Sequence, residues 1–538
     1  MHWQNVTIIC RVRNMANSRL NKSIKNTIIG IIFTMLNLIF QFSVKSVFIK
    51  LLGETYNGVN GLFSSILQVL NLAELGFASA VAYSLYKPLN EGNEREVAAY
   101  MNYFARVYRV IALVVALAGA LCIPILQFLI NEDIAELPFT LNQLRLYFVF
   151  YLANTVFSYL LAYKRTIISA DQKMYIISIS DNIANILLNA LQIILLLITH
   201  NYFAFLAVMV AKTIINNLVV HLIANKKYPY LFTYKKESLL PEQKKALYGN
   251  INALMLHKVG SVIIFGTISI VISAFVGAEE NGIYSNYVQI INGVNLFINI
   301  VFNSIVASVG DLCVRASDED KTRVFKRIDF LGKWLSVFCM TCYINMFNSF
   351  INSVWIRSDG VHSFEFAIVV AIAVSACTTY MRKTVLIFRD AMGLFKKDWY
   401  KPLIESAVGI ALAIGLNFVA GVFGIVVGYT IAAVFIAVPI ETYVLFKFGL
   451  HRKCLRYLIW QYVALAFAIA LGIGVYYVCE LFKLNGIIDF VVRTLISLIV
   501  PNIILLLVNI KNENLRYYIN LLKNLTSKIS NKFRGSKK

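Results

Sequence analysis

Charged residues are scarce in this 538-residue chain: 14% of its residues are Asp, Glu, Lys or Arg, whereas 59% are hydrophobic. The mean hydropathy is +0.69. Soluble domains average roughly 45–50% apolar and about 25% charged residues, so this composition excludes a soluble globular protein. The apolar segments run about 20–27 residues without the alternation of barrel strands. The sequence therefore predicts an all-α integral membrane protein.

Acidic residues are fewer still, with 28 Asp and Glu against 50 Lys and Arg, and the formal net charge is +22. A soluble protein of this charge would suggest nucleic acid. In a membrane protein, basic residues accumulate in cytoplasmic loops, so we expect no nucleic-acid partner. The eight cysteines are scattered and predict no disulfide framework.

The motifs of catalysis are missing as well. The sequence has no phosphate-cradling Gly–Lys loop and no His, Cys, Asp and Glu cluster with metal-ligand spacing. It also has no catalytic constellation. We therefore expect neither direct use of ATP, nor a metal or other cofactor, nor enzymatic activity.

The apolar segments predict about fourteen transmembrane helices. Basic residues fall in alternate connections, which predicts that both termini are cytoplasmic. The predicted helices span approximately 24–49, 59–85, 105–130, 142–163, 175–199, 202–224, 250–276, 283–309, 328–351, 363–388, 401–420, 422–446, 457–481 and 486–509.

A spacing that recurs along the chain predicts two pseudo-symmetric six-helix lobes followed by two C-terminal helices. The matched residues are Gly53, Asn57, Gly58 and Asn71 with Gly277, Asn281, Gly282 and Asn295. The predicted organisation is a cytoplasmic N-terminal segment at 1–23, an N-lobe at 24–224, a cytoplasmic linker at 225–249, a C-lobe at 250–446, helices 13 and 14 at 447–509 and a basic cytoplasmic tail at 510–538. The start codon is Met1 or Met15; the segment before Met15 reads as an upstream-start artefact.

Four stretches, in order along the chain, carry a family resemblance. They are LLGETYNGVNGLFSSILQVLNLAELGFASAVAYSLYKPL at 51–89, YKRTIISADQKMYI at 163–176, HKVGSVIIFGTISIVISAFVGAEENGIYSNY at 257–287 and IFRDAMGLFKKDWYKPLIESA at 387–407. From about Ser18 to Asn509 the chain resembles the bacterial polysaccharide flippases, which handle O-antigen, capsule and exopolysaccharide repeat units. These flippases belong to the MOP (MATE-like) exporter superfamily. One departure is Ile268-Ser269, where many relatives have Asp-Asn; it puts in doubt any ion coupling at that position.

The resemblance implies a flippase in the bacterial plasma membrane. Its substrate would be an undecaprenyl-diphosphate-linked oligosaccharide, moved from the inner to the outer leaflet by alternating access. Implied partners are the lipid bilayer, a polysaccharide polymerase and a chain-length regulator, with H+ or Na+ as coupling ion. Two alternatives stay open: a small-molecule exporter of the same superfamily, and a membrane enzyme such as a polysaccharide polymerase or acyltransferase. The enzyme would need a sizeable outer loop or a His/Asp/Arg cluster, which the sequence lacks.

A buried diphosphate needs cations, because an unpaired anion in apolar surroundings is strongly destabilised. The candidates within or at the ends of the predicted helices are Lys45, Lys212, His257, Lys258, Lys25, Arg382 and Lys383. Snorkelling to the membrane surface is the alternative for Lys45, Arg382 and Lys383, packing for His257, and a topology signal for Lys25.

Glu74 is the candidate acid. By the helical rise, Glu74 and Lys212 lie about 16 Å and 18 Å from the inner ends of their helices, so we predict that they approach each other or that Glu74 titrates during transport. A protonated Glu hydrogen-bonded to a neighbouring helix is the structural alternative.

Overall fold

The computed structural model describes residues 32–133, except 72–76, together with 135–357 and 360–535. Everything regular in these residues is helical, as the composition predicts. The chain divides into two compact units, of which the first takes the described residues up to Phe128 and from Glu132 to Lys258. The second takes Leu129–Asn131 and the chain from Val259 onward. The lobe boundaries inferred from sequence remain a prediction.

The first unit is built from seven long or medium helices, one short helix and the beginning of a ninth. They are α1 Ile32–Leu52, α2 Glu54–Leu70, α3 Phe77–Asn90, α4 Glu94–Cys122, α5 Leu141–Ala170, α6 Met174–Thr199, α7 Tyr202–Lys227, the short α8 Tyr230–Thr233 and the first part of α9 Pro241–Phe275. Within this unit α5 packs along α4 and α7, and α7 packs along α6.

The second unit contains the rest of α9 and eight further helices. They are α10 Ala278–Arg315, α11 Asp318–Phe350, α12 Phe366–Ala391, α13 Lys401–Ala432, α14 Val438–Phe448, α15 Leu455–Glu480, α16 Gly486–Val508 and α17 Glu513–Gly535. The helix α11 is central, because it packs against α12, α15 and α16.

Capping residues explain why α4 begins at Glu94, eleven residues before the predicted start of the third helix. The Asn93 side-chain oxygen accepts the backbone N–H of Glu96 at 3.2 Å, and its amide nitrogen donates to the Glu96 carboxylate at 3.1 Å. The first of these bonds satisfies a backbone donor that the helix itself leaves open, and the second holds the two side chains together. Hydropathy cannot detect such a start, since the first turns of α4 are polar.

The predicted number of fourteen spans is not confirmed. Among the described residues, ten helices are long and apolar enough to cross a membrane, or eleven if the bent pair Leu141–Leu160 and Tyr163–Ala170 forms one span. One of the ten is the 48-residue stretch Lys401–Phe448. A straight helix of that length would extend about 72 Å, more than twice the roughly 30 Å of a hydrocarbon core.

This stretch turns back on itself at the position where the sequence predicts a break. Ala420 (φ −142°, ψ 17°) and Gly421 (φ 53°, ψ −134°) leave helical geometry. The positive φ at Gly421 favours glycine, because a Cβ atom there would clash with the backbone. The result is a helical hairpin.

Two glycines let the arms of this hairpin approach closely. A Cβ atom on Gly424 would lie 2.1 Å from the carbonyl oxygen of Leu416, and one on Gly428 would lie 2.5 Å from the backbone nitrogen of Ala413. No side chain fits at such distances. Small residues four apart are a known means of bringing membrane helices into backbone contact.

The repeated Gly–Asn pattern has the same local structure in both units. Gly53 and Gly277 are the residues immediately before α2 and α10. The backbone N–H of Asn57 bonds to the Gly53 carbonyl at 3.4 Å, and that of Asn281 bonds to the Gly277 carbonyl at 3.2 Å. Both asparagine side chains are fully buried.

Candidate functional site

A row of amide side chains runs along one face of α6. Its members, Asn182, Asn185, Asn189 and Gln192, follow each other at spacings of three, four and three residues, which places them on one side of a helix. We call them the amide row. Their partners are the Asn37 amide for Asn182, Asn216 for Asn185 at 3.1 Å, Lys212 for Asn189 at 2.9 Å and the Phe205 carbonyl for Gln192 at 3.0 Å.

Lys212 is held by this row near the middle of α7. Its Nζ donates to Oδ1 of Asn189, whose side chain is only 3% exposed. Ten residues separate Lys212 from the start of α7 and fifteen from its end, or about 15 Å and 22 Å of helix. Within the described residues Lys212 forms no ion pair. Glu74 lies outside the described residues, so its pairing with Lys212 stays a prediction.

The second unit contains a lysine held in the same way. Lys383 of α12 donates through Nζ to Oδ1 of Asn299 on α10 at 2.8 Å, and its ammonium lies 5.9 Å from the Phe302 ring centroid. Asn299 is exposed and Lys383 half-buried, so this pair is more open than the first. We call Lys212–Asn189 and Lys383–Asn299 the lysine–asparagine pairs.

An asparagine orients a lysine without neutralising it. The amide oxygen accepts a hydrogen bond but carries no net charge, whereas a carboxylate would cancel the ammonium. A cation inside an apolar helix bundle is stabilised only when an anion compensates it. Each lysine–asparagine pair therefore keeps a positioned charge that an incoming anion can satisfy.

Arg382, directly before Lys383, has the opposite environment. Its guanidinium donates to Glu441 at 2.7 and 3.0 Å and to Glu405 at 3.0 and 3.4 Å. Lys401 adds contacts of 3.0 Å to Glu405 and 2.5 Å to Glu441. The side chains of the two glutamates are 3% and 1% exposed. Arg382, Lys401, Glu405 and Glu441 form what we call the charge cluster.

The charge cluster is electrically complete. Two cations face two carboxylates, so the formal charges sum to zero, and each carboxylate contacts both cations. Arg382 was predicted from sequence as a substrate contact, and that role stays a prediction. In this structure its guanidinium is committed to Glu405 and Glu441.

Lys45 lies in α1 and is half-buried. Among the described residues it forms no ion pair, although Glu54 at the start of α2 attracts its charge. Glu54 in turn accepts a 2.8 Å hydrogen bond from Asn57, the buried asparagine of the repeated pattern.

The structure does not describe the side chains of the remaining predicted site residues. Lys25 and Glu74 lie outside the described residues. The backbone of His257 and Lys258 belongs to α9, but their side chains lie outside the described part. Their roles stay predictions.

Sequence reasoning missed the amide partners and a further ion pair, Arg165 with Asp181. The two Arg165 amino groups bond the Asp181 carboxylate at 2.6 and 2.8 Å, and Nε bonds Asn217 at 3.1 Å. The available signal was the helical spacing of asparagines in α6, since amides in a spanning helix need partners. No three His, Cys, Asp or Glu side chains within the described ranges lie together as around a metal ion.

The chain is a multi-pass helical membrane protein. Its fold is shared by the lipid II flippase MurJ and MATE transporters. The structure of MurJ in an inward closed conformation matches with a TM-score of 0.62 and 15% identity, covering 90% of this chain and 99% of that one. An inward-facing multidrug resistance MATE family transporter of the MOP superfamily matches with a TM-score of 0.56 and 12% identity, covering 82% and 98% of the two chains.

A Vibrio cholerae MATE transporter, VcmN, has a TM-score of 0.50 and 15% identity, covering 79% of this chain and 98% of that one. No protein-family model matches the chain, and no curated protein matches it by sequence. At these identities the likeness establishes the fold alone.

Proposed function

We propose that the protein is a flippase of the MOP exporter superfamily for undecaprenyl-diphosphate-linked oligosaccharides. It moves repeat units from the inner to the outer leaflet of the bacterial plasma membrane by alternating access, for cell-surface polysaccharide biosynthesis. Both termini face the cytoplasm. The likeness of fold to MurJ, whose name specifies a lipid II substrate, supports a lipid-linked cargo.

The observation that carries the proposal is a pair of lysines that form no ion pair within the described residues. Lys212 and Lys383 lie within apolar helices, and each is positioned by an amide oxygen. A diphosphate that leaves water needs charge-assisted donors to replace its hydration, and ammonium groups supply them. A pathway for neutral or cationic compounds would have no use for such charges.

We assign the predicted cations and the acid to separate roles. Lys45, Lys212 and Lys383 contact the diphosphate, and Lys25, His257 and Lys258 extend the cationic path. Glu74 is the coupling or cavity acid, with H+ or Na+ as the ion. The membrane potential contributes about 2.3 kcal/mol per charge per 100 mV, enough to bias a cycle that moves net charge.

The class of cargo is tested in a deletion strain that has no redundant flippase. We expect lipid-linked repeat units to accumulate on the cytoplasmic leaflet and surface polymer to disappear. Normal polymer together with increased sensitivity to toxic compounds would instead identify a small-molecule exporter.

The lysine–asparagine pairs are tested by Asn189→Asp, which keeps the size of the side chain and gives Lys212 a carboxylate. We expect polymer export to fall about tenfold, because hydrogen bonds to charged groups contribute roughly 1.5–3 kcal/mol. The melting temperature of the Asn189→Asp protein should equal or exceed that of the wild type. Lys212→Arg, which retains the charge, is the control and should keep most activity. Unchanged export by Asn189→Asp would refute the role of Lys212 while leaving the flippase assignment intact.

A further inference from the structure

A cavity of about 490 Å³ lies in the first unit, away from the amide row. Its walls come from three parts of the chain: the first half of α4, the end of α5, and α8 together with the connection after it. The lining includes Arg106 and Arg109 from α4, Lys164 from α5, and Lys235 and Lys236 from the connection. Small-molecule sites typically enclose roughly 300–1,000 Å³, so the cavity has the size of a ligand site.

Five cations and one acid, Glu237, line this cavity. Within the described part of the chain, none of the five cations forms an ion pair. Nε of Arg106 donates to the Asn102 carbonyl at 3.4 Å, and Nε of Arg109 donates to the Ala105 carbonyl at 3.3 Å. These bonds orient the guanidinium groups without neutralising them, so the cavity keeps a concentrated positive charge.

Lys164 is the buried member of the group, with 5% of its surface exposed. Its Nζ bonds to the Asn225 side-chain oxygen and lies 3.4 Å from Nε2 of His221. The Phe232 ring centroid lies 5.1 Å away. Amide, imidazole and aromatic partners hold the ammonium in place without supplying a negative charge. A lysine buried in this manner is stabilised when an anion enters the cavity.

Hydrogen bonds fix the connection that forms one wall. The Asn102 amide donates to the carbonyls of Tyr234 at 2.8 Å and Glu237 at 3.1 Å, tying α4 to the segment that carries Lys235 and Lys236. The cavity is thus a built feature of packed elements. The apolar stretch that contains α4, Glu94–Leu129, is 36 residues long. Because about 20 residues cross a membrane, its early turns reach the headgroup region.

We propose that this cavity binds a phosphate-bearing anion, presented either as the headgroup of an acidic lipid or as a free phosphate compound from solution. Its five cations supply more than enough donors for the acidic oxygens of a phosphate or diphosphate group. The proposal is independent of the transported cargo. It requires only that the cavity keeps its charge.

The test uses the full-length protein in lipid nanodiscs. The pocket variant Arg109→Gln with Lys235→Gln removes two exposed charges from the cavity. The matched control, Lys87→Gln with Arg315→Gln, removes two exposed charges whose only described partners are Glu91 and Asp311. One probe is phosphatidylglycerol in phosphatidylcholine nanodiscs, measured as lipid retained in native mass spectrometry. The other is inorganic pyrophosphate in pure phosphatidylcholine nanodiscs, measured as a rise in melting temperature.

We expect the wild type and the control to bind one probe and the pocket variant to bind it about tenfold more weakly, as for the loss of charge-assisted contacts. Selective loss of phosphatidylglycerol identifies a lipid headgroup, and selective loss of the pyrophosphate effect identifies a soluble phosphate. The proposal is overturned if the wild type binds neither probe. It is equally overturned if the pocket variant and the control respond alike.

Discussion

The amide row of the first unit and the charge cluster of the second satisfy polar groups inside apolar helices in different ways. The first unit pairs neutral amides along the amide row, and its lysine at position 212 has an amide partner. The second unit gathers full charges, and the charge cluster balances two cations against two buried carboxylates. Lys383 of that unit repeats the amide solution.

This difference separates two tasks. A balanced ion cluster in a low-dielectric interior resists rearrangement, because moving any member leaves an uncompensated charge. Amide pairs exchange partners at a small net change in free energy, since each hydrogen bond contributes about 1 kcal/mol. The amide row is therefore suited to rearrange, and the charge cluster is suited to hold helices together.

The largest effect is expected from Glu441→Gln in the second unit. The substitution leaves Arg382 and Lys401 with a single buried carboxylate between them, and breaking a buried ion pair costs about 3–5 kcal/mol. The measurement is the loss of the monodisperse size-exclusion peak of detergent-solubilised protein on heating. Glu91→Gln, in a pair whose side chains are 83% and 54% exposed, is the control and should melt like the wild type.

If the Glu441→Gln protein is as stable as the Glu91→Gln protein, the charge cluster does not stabilise the fold more than the amide row does. It would mean that water reaches the charge cluster and screens its charges, since exposed ion pairs contribute roughly 0–1 kcal/mol.

An intermediate effect is expected from Asn185→Leu in the first unit. The change leaves the half-buried Asn216 amide without its 3.1 Å partner, and the cost should stay below the roughly 3 kcal/mol upper value for an unsatisfied buried group. Adding Asn216→Leu removes the stranded amide and should restore most of the melting temperature. A double variant less stable than the single one would show that the amide row depends on its full network rather than on separable pairs.

The smallest effect is expected at the end of α5, where Asp171 accepts hydrogen bonds from Lys173 and from Tyr228 at 2.6 Å. Burial alone would raise the pKa of Asp171, but these bonds and the charges of Lys173 and Lys227 outweigh it and lower the pKa. The stabilisation is thus present above the unfolded value of about 3.9 and is lost as the pH falls through the folded value.

Melting temperatures between pH 7 and pH 3 check this expectation. Asp171→Asn should lower stability at pH 7 and flatten the acid limb of the profile. Asp311→Asn, at a side chain 64% exposed, is the control and should keep the wild-type profile. Parallel profiles for all three proteins would rule out a role for Asp171 in acid sensitivity.

Hydropathy predicted the fold better than the site. The apolar runs marked the helices and the break between 401–420 and 422–446, because hydropathy is a local signal. The partners of Lys212 and Arg382 were not predictable in this way. Asn189 and Glu441 lie 23 and 59 residues away along the chain, and their contacts depend on how helices rotate and pack. The spacing of the amide row was a readable signal, but spacing alone does not identify the facing helix.

The helical hairpin formed by Lys401–Phe448 has a mechanical consequence. At its closed end Gly424 and Gly428 press backbone against backbone, and toward its open end Glu405 and Glu441 are joined through Arg382 and Lys401. Glu405 and Glu441 lie about 24 Å and 30 Å of helix from Gly421, one along each arm. Because the two arms are held together at both ends, they can neither slide along each other nor separate. The two arms and the adjoining part of α12 must therefore move as one rigid body. Any bending during a conformational change has to occur elsewhere in the chain.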